Sequence, residues 1–142
     1  MWADTLQSYE TRHLLLLIGW GAGSVLTGIL LFVFLSLRHL RAPLLTQLGV
    51  QFALWGSGAL LWGVFASNDV PLRDYEGAVE LSRELWIAVG VEASGILVGL
   101  TLAIAGWTFV RRLGLVGTGI GITVQSSALI ILDLVFLRAI RL

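Results

Sequence analysis

The chain has 142 residues, 57% of them hydrophobic and 13% charged, with a mean hydropathy of +0.91, a composition foreign to an ordinary soluble domain of this size. Nine arginines, no lysine and nine acids leave zero formal charge, so no basic patch points to a nucleic-acid partner. The absence of cysteine excludes disulfides, thiolate metal sites and cysteine nucleophiles.

From the amino end, Met1 to Thr11 sets Trp2, Ala3, Leu6 and Tyr9 at helical spacing beside Asp4, Gln7, Ser8 and Glu10. That pattern fits either a short amphipathic segment on a membrane surface or a frayed lead-in. The stretch is acidic where a secretory signal would be basic, and no small-residue cleavage site follows, so the apolar run behind it is expected to be a retained span. Four apolar runs, about 13–37, 43–66, 85–110 and 113–137, exceed the roughly 20 residues a helix needs to cross a bilayer. Backbone polar groups must be satisfied inside lipid, and strand-like alternation is absent, so the runs are expected to be helices. The expectation is an all-α, single-domain, multi-pass membrane protein: a four-transmembrane-helix antiparallel bundle made of two hairpins. Its first partner is the lipid bilayer, with a second copy or another membrane subunit as candidates beyond it.

The turn Arg38-His39-Leu40-Arg41-Ala42-Pro43 separates the first two runs, and Pro43 suits the first turn of a helix because its missing N–H is not needed there. In the loop from Ser67 to Glu84, Asp74, Glu76, Glu80 and Glu84 precede the third run, where acids favour the positive end of a helix dipole. The turn Val110-Arg111-Arg112-Leu113 joins the last two runs. The short turns hold Arg38, Arg41, Arg111 and Arg112 and no acid. On the other side Arg12, Arg73, Arg83, Arg138 and Arg141 are diluted by seven acids, so charge density places the tight turns on the cytoplasmic side. A faint repeat at an offset of 71 residues lays Gly23 to Leu31 over Ser94 to Leu102, although the acids do not repeat.

Each run of the last hairpin carries one carboxylate, Glu92 and Asp133. A turn centred between Arg111 and Arg112 puts them within about one helical rise of the same height. Ionised groups facing lipid cost roughly 2.5–3.5 kcal/mol each on insertion scales, so both acids are expected to turn inward and find partners. Arg12, His13, Arg83 and Arg138 are the candidates at that end of the spans; the competing reading is a carboxylate pair that exchanges protons or binds a cation. In the fourth run Gly117, Gly121, Gln125, Leu129 and Asp133 share one i, i+4 stripe, so Gln125 is expected to join the acids in a buried polar cluster. Gln51 is a candidate neighbour. Thr27, Ser94 and Thr101 either extend the network or bond back to their own helices.

Glycines and other small residues four apart supply packing faces: Gly19 with Gly23, Ser24 with Gly28, Gly49 with Ala53 and Ser57, Gly95 with Gly99, and Gly117 with Gly121. Trp2, Trp62, Trp86 and Trp107 fall near span ends, as an aromatic belt requires, whereas Trp20 and Trp55 lie deeper, packing on glycine faces or lining a path. His13 and His39 stand about 39 Å apart along one helix and cannot ligate one haem iron, and no metal or cofactor site is expected. No HExxH, GxSxG or P-loop motif is present, so the chain is not expected to be an enzyme.

The spacing Gly90-x-Glu92-x-Ser94-x4-Gly99-x2-Leu102, followed by Gly119-x-Gly121-x3-Gln125-x3-Leu129-x3-Asp133, resembles a family of small four-helix bacterial inner-membrane proteins of unknown function. In that family an acid follows a small-residue pair in the third helix, and a glutamine precedes an aspartate by eight residues in the fourth. Glu92 would fill the first position, as glutamate in place of aspartate, with Gln125 and Asp133 filling the others. Trp55 resembles a tryptophan of the second helix, but Gly56 and Ala59 stand where the family has asparagines. The resemblance implies a location in the bacterial inner membrane and no activity. A structural or accessory component held by a buried polar cluster is the expected function, with a proton-coupled small-molecule exporter using Glu92 and Asp133 as the alternative.

Overall fold

The computed structural model of the protein describes residues 2–140. They form four helices: α1 (Trp2–Leu37), α2 (Pro43–Ser67), α3 (Tyr75–Thr108) and α4 (Leu113–Ala139). All four are long and apolar enough to cross a membrane. Arg141, counted in the charge balance above, lies outside the described residues.

Helix ends follow local chemistry. Pro43 opens α2, and Asp74 caps α3 by accepting from the Gly77 N–H at 2.9 Å. Each short turn contains one non-glycine residue at positive φ, His39 (φ 49°) and Arg111 (φ 50°). The chain folds back there so that the Leu40 N–H reaches the Leu35 carbonyl and the Arg112 N–H reaches the Gly106 carbonyl, both at 3.0 Å.

Two boundaries differ from the expectation. The amino-terminal stretch is neither a separate surface segment nor a frayed lead-in: from Trp2 onward it continues into α1, and it buries Leu6 and Glu10. The third helix begins at Tyr75, ten residues before the apolar run, because the acid-rich second half of the loop, capped by Asp74, is itself helical. At about 1.5 Å per residue, α1 and α3 therefore exceed a ~30 Å hydrocarbon core by roughly 20 Å each.

Backbone contacts join α1 to α2, α3 to α4, and α4 to both α2 and α1; no Cα of α3 comes within 8 Å of one in α1 or α2. Glycine makes these approaches possible. A Cβ on Gly28 would lie 2.7 Å from the Gly49 carbonyl, and one on Gly56 would lie 2.8 Å from the Gly21 carbonyl. Gly117 and Gly121 meet Leu44 and Gln51 of α2, while Gly95 and Gly99 meet Ser126 and Thr123 of α4. Gly19 and Gly23 depart from the expected pattern, since a Cβ on either would meet nothing within 4 Å. On α2, Gly56 rather than Ser57 completes the face begun by Gly49 and Ala53.

The interior is consequently sorted by height. In the apolar stretches, α2 buries only Gly49, Gly56 and Gly63. The cluster of large buried apolar side chains, Leu6, Ala78, Leu81, Leu85, Phe136 and Ile140, sits at the end away from the short turns. The two helices that are longer than a hydrocarbon core requires, α1 and α3, both contribute to it.

Candidate functional site

Close approach of α2 to α4 through glycine falls in the half nearer the short turns. In the other half lies a cavity of about 660 Å³ to which all four helices contribute. Leu14 and Leu17 of α1, Leu54, Trp55 and Trp62 of α2, Leu85 and Ala88 of α3, and Leu129 and Phe136 of α4 form its apolar wall. Glu10, His13, Arg73, Glu84, Glu92 and Asp133 also face it.

Two polar ties face this space and a third lies beyond it. Glu10, buried on α1, receives two hydrogen bonds from Arg73 of the long loop: Nη2 to Oε1 at 2.9 Å and Nε to Oε2 at 3.1 Å. The carboxylate raises the Arg73 pKa, chiefly through this hydrogen bonding, so the guanidinium keeps its charge. Beside it, the Gln7 Nε2 donates to the Val70 carbonyl at 2.7 Å, fastening the loop a second time. The second tie sets His13 Nε2 at 3.3 Å from Asp133 Oδ1, with the imidazole stacked on Phe136 at a centroid distance of 4.6 Å. The third lies deeper, where the Trp20 Nε1–H donates to Gln125 Oε1 at 2.9 Å and Gln125 Nε2 donates to Ser24 Oγ at 3.1 Å. Gln125 and Ser126 are almost wholly buried.

Glu92 is different. It is half-buried on the cavity wall, and its Oε2 is buried without a hydrogen-bond partner. Glu92 and Asp133 thus face one cavity, but not at one height. Level positions of α3 and α4, such as Gly106 with Leu115 and Gly95 with Ser126, have numbers adding to about 221. This places Asp133 about four residues, ~6 Å, beyond Glu92. The offset arises because α3 ends at Thr108, so the turn is centred nearer Val110 than Arg112.

Of the candidate partners for the acids, His13 alone makes the contact. Arg12 and Arg138 are exposed and pair with no acid among the described residues, and Arg83 stands 3.7 Å from Glu80 on its own exposed face. The physical reason is rotation: Arg12 lies about 100° around α1 from His13, outside the buried stripe of Leu6, Glu10, Leu14, Leu17, Gly21 and Ser24. Glu10 belongs to that same stripe at i, i+4 spacing, which is the signal that marks it, and Arg73 carries no comparable mark. Gln51 accepts from Trp55 at 3.2 Å on its own helix. Thr27, Ser94 and Thr101 bond back to their own carbonyls.

Leu54 and Trp62 of α2 and Glu84 of α3 line the cavity, and no backbone contact joins these two helices. No protein-family model, curated protein or solved structure matches the chain.

Proposed function

We propose that the protein is a multi-pass membrane protein of two antiparallel hairpins in the bacterial inner membrane, serving as a non-catalytic structural or accessory component. The observation that carries this reading is how its buried polar groups are used. Gln125 and Asp133 bind α4 to α1, and Glu10 binds α1 to the loop between the hairpins. Polar groups spent on contacts between helices act as glue for a bundle interior. The resemblance at Glu92, Gln125 and Asp133 supports the same assignment to the inner membrane.

A second reading, a proton-coupled small-molecule exporter, is favoured by one observation: Glu92 is left unpaired on the cavity wall. Purified protein, melted in detergent and reconstituted in liposomes, separates the two. Under the structural reading His13→Ala and Asp133→Asn lower the melting temperature, Glu92→Gln does not, and liposomes show no flux driven by a pH gradient. Gradient-driven flux that disappears in Glu92→Gln would replace the structural reading with export.

A further inference from the structure

We propose that the cavity is a binding site for a lipophilic organic cation, an apolar, aromatic body carrying a single positive charge. This deepens the second reading above and rests on the cavity being a ligand site. A volume of about 660 Å³ lies within the range of roughly 300–1,000 Å³ typical of small-molecule sites.

The charges facing the space do not balance. Arg73 is taken up by Glu10, and His13 stands against Asp133. Glu92 and Glu84 remain, and neither has an ion-pair partner among the described residues. An anionic occupant would be repelled by the Glu92 carboxylate and a neutral one would offer it no charge, whereas a cation would supply the missing partner. Among the described residues no three His, Asp or Glu side chains converge on the space, so it offers a metal ion few ligands. A small hydrated ion would also leave Leu54, Trp55, Trp62 and Leu129 facing water. An apolar body fills that wall, and Trp55 and Trp62 of α2, which line the same space as Glu92 of α3, supply aromatic groups that attract a positive charge.

Equilibrium binding of tetraphenylphosphonium to the purified full chain in detergent tests this. One saturable site per chain is expected, weakened about tenfold or more in Glu92→Gln, as for loss of a charged partner. Trp55→Leu should weaken it several-fold. Gly58 lines the cavity, and a Cβ there meets nothing within 4 Å, so Gly58→Leu narrows the space and should weaken binding several-fold while leaving the thermal melt intact. Tetraphenylborate, of the same shape and opposite charge, should not bind. Equal binding of the two ions, binding unchanged in both Glu92→Gln and Gly58→Leu, or a co-purifying phospholipid that tetraphenylphosphonium does not displace would overturn the proposal. Binding without gradient-driven uptake into liposomes keeps the ligand class and removes export. Glu92-dependent uptake of a neutral probe, with no tetraphenylphosphonium binding, does the reverse.

Discussion

Two glutamates facing the same cavity have opposite roles, and the difference lies in their partners. Glu10 is held by both arms of the Arg73 guanidinium, so removing its charge leaves a partly buried cation unpaired. Glu10→Gln is expected to cost about 1–3 kcal/mol, by the measured worth of charged hydrogen bonds, and to free the long loop for proteolysis. Glu92 has no such partner to lose, so Glu92→Gln should melt at or above the wild-type temperature. Thermal melts of the two variants in one detergent check the contrast, and a lower melting temperature for Glu92→Gln would show that it has a partner after all. Gln125 spends its carbonyl on Trp20 and its amide on Ser24. Gln125→Leu is therefore expected to lose about 1 kcal/mol, the scale of interhelical hydrogen bonds in membranes, read from denaturation by SDS.

At the scale of the helix, contact is decided by which glycines face a neighbour, and this can be tested position by position. Gly28→Ala drives a methyl group against the α2 backbone and should cost about 1–3 kcal/mol, whereas Gly23→Ala, with open space around it, should be neutral or slightly stabilising. The same denaturation assay reads both. The positive-φ residues of the short turns offer the opposite sign. His39→Gly and Arg111→Gly relieve a left-handed conformation that costs a side-chain-bearing residue about 1 kcal/mol, and should raise stability by up to that amount. Helix number, and the limits of α2 and α4 to within a residue or two, were legible in the sequence because a run of twenty apolar residues has few other fates. Which face of each helix turns inward was less legible. In α1, large apolar residues surround the whole circumference, so hydrophobicity carries no contrast and only the small and polar positions mark the interior. Gly19 and Gly23 look as suited to packing as Gly21 and Gly28, and only the presence of α2 distinguishes them. The Glu10–Arg73 pair spans 63 positions, with a partner in a loop that no periodicity orients.

Across the whole molecule, one asymmetry organises the rest. α1 is tied to α4 by His13–Asp133 and by Trp20, Ser24 and Gln125, while α3 leans on α4 alone through its backbone and meets α1 in the apolar cluster at the end away from the short turns. The space left between α2 and α3 is the cavity, and the loop that closes its end is pinned by Arg73. The most direct test uses the absence of native cysteine to place one pair, Gly58→Cys on α2 with Ala88→Cys on α3, in membranes under oxidising conditions. Cα atoms of the two helices are more than 8 Å apart, beyond the ~7 Å limit of a disulfide, so the account predicts no cross-link and ready labelling of both cysteines by a water-soluble maleimide. Rapid, complete formation of an intramolecular disulfide with loss of labelling would show α2 packed directly on α3, with no cavity between them.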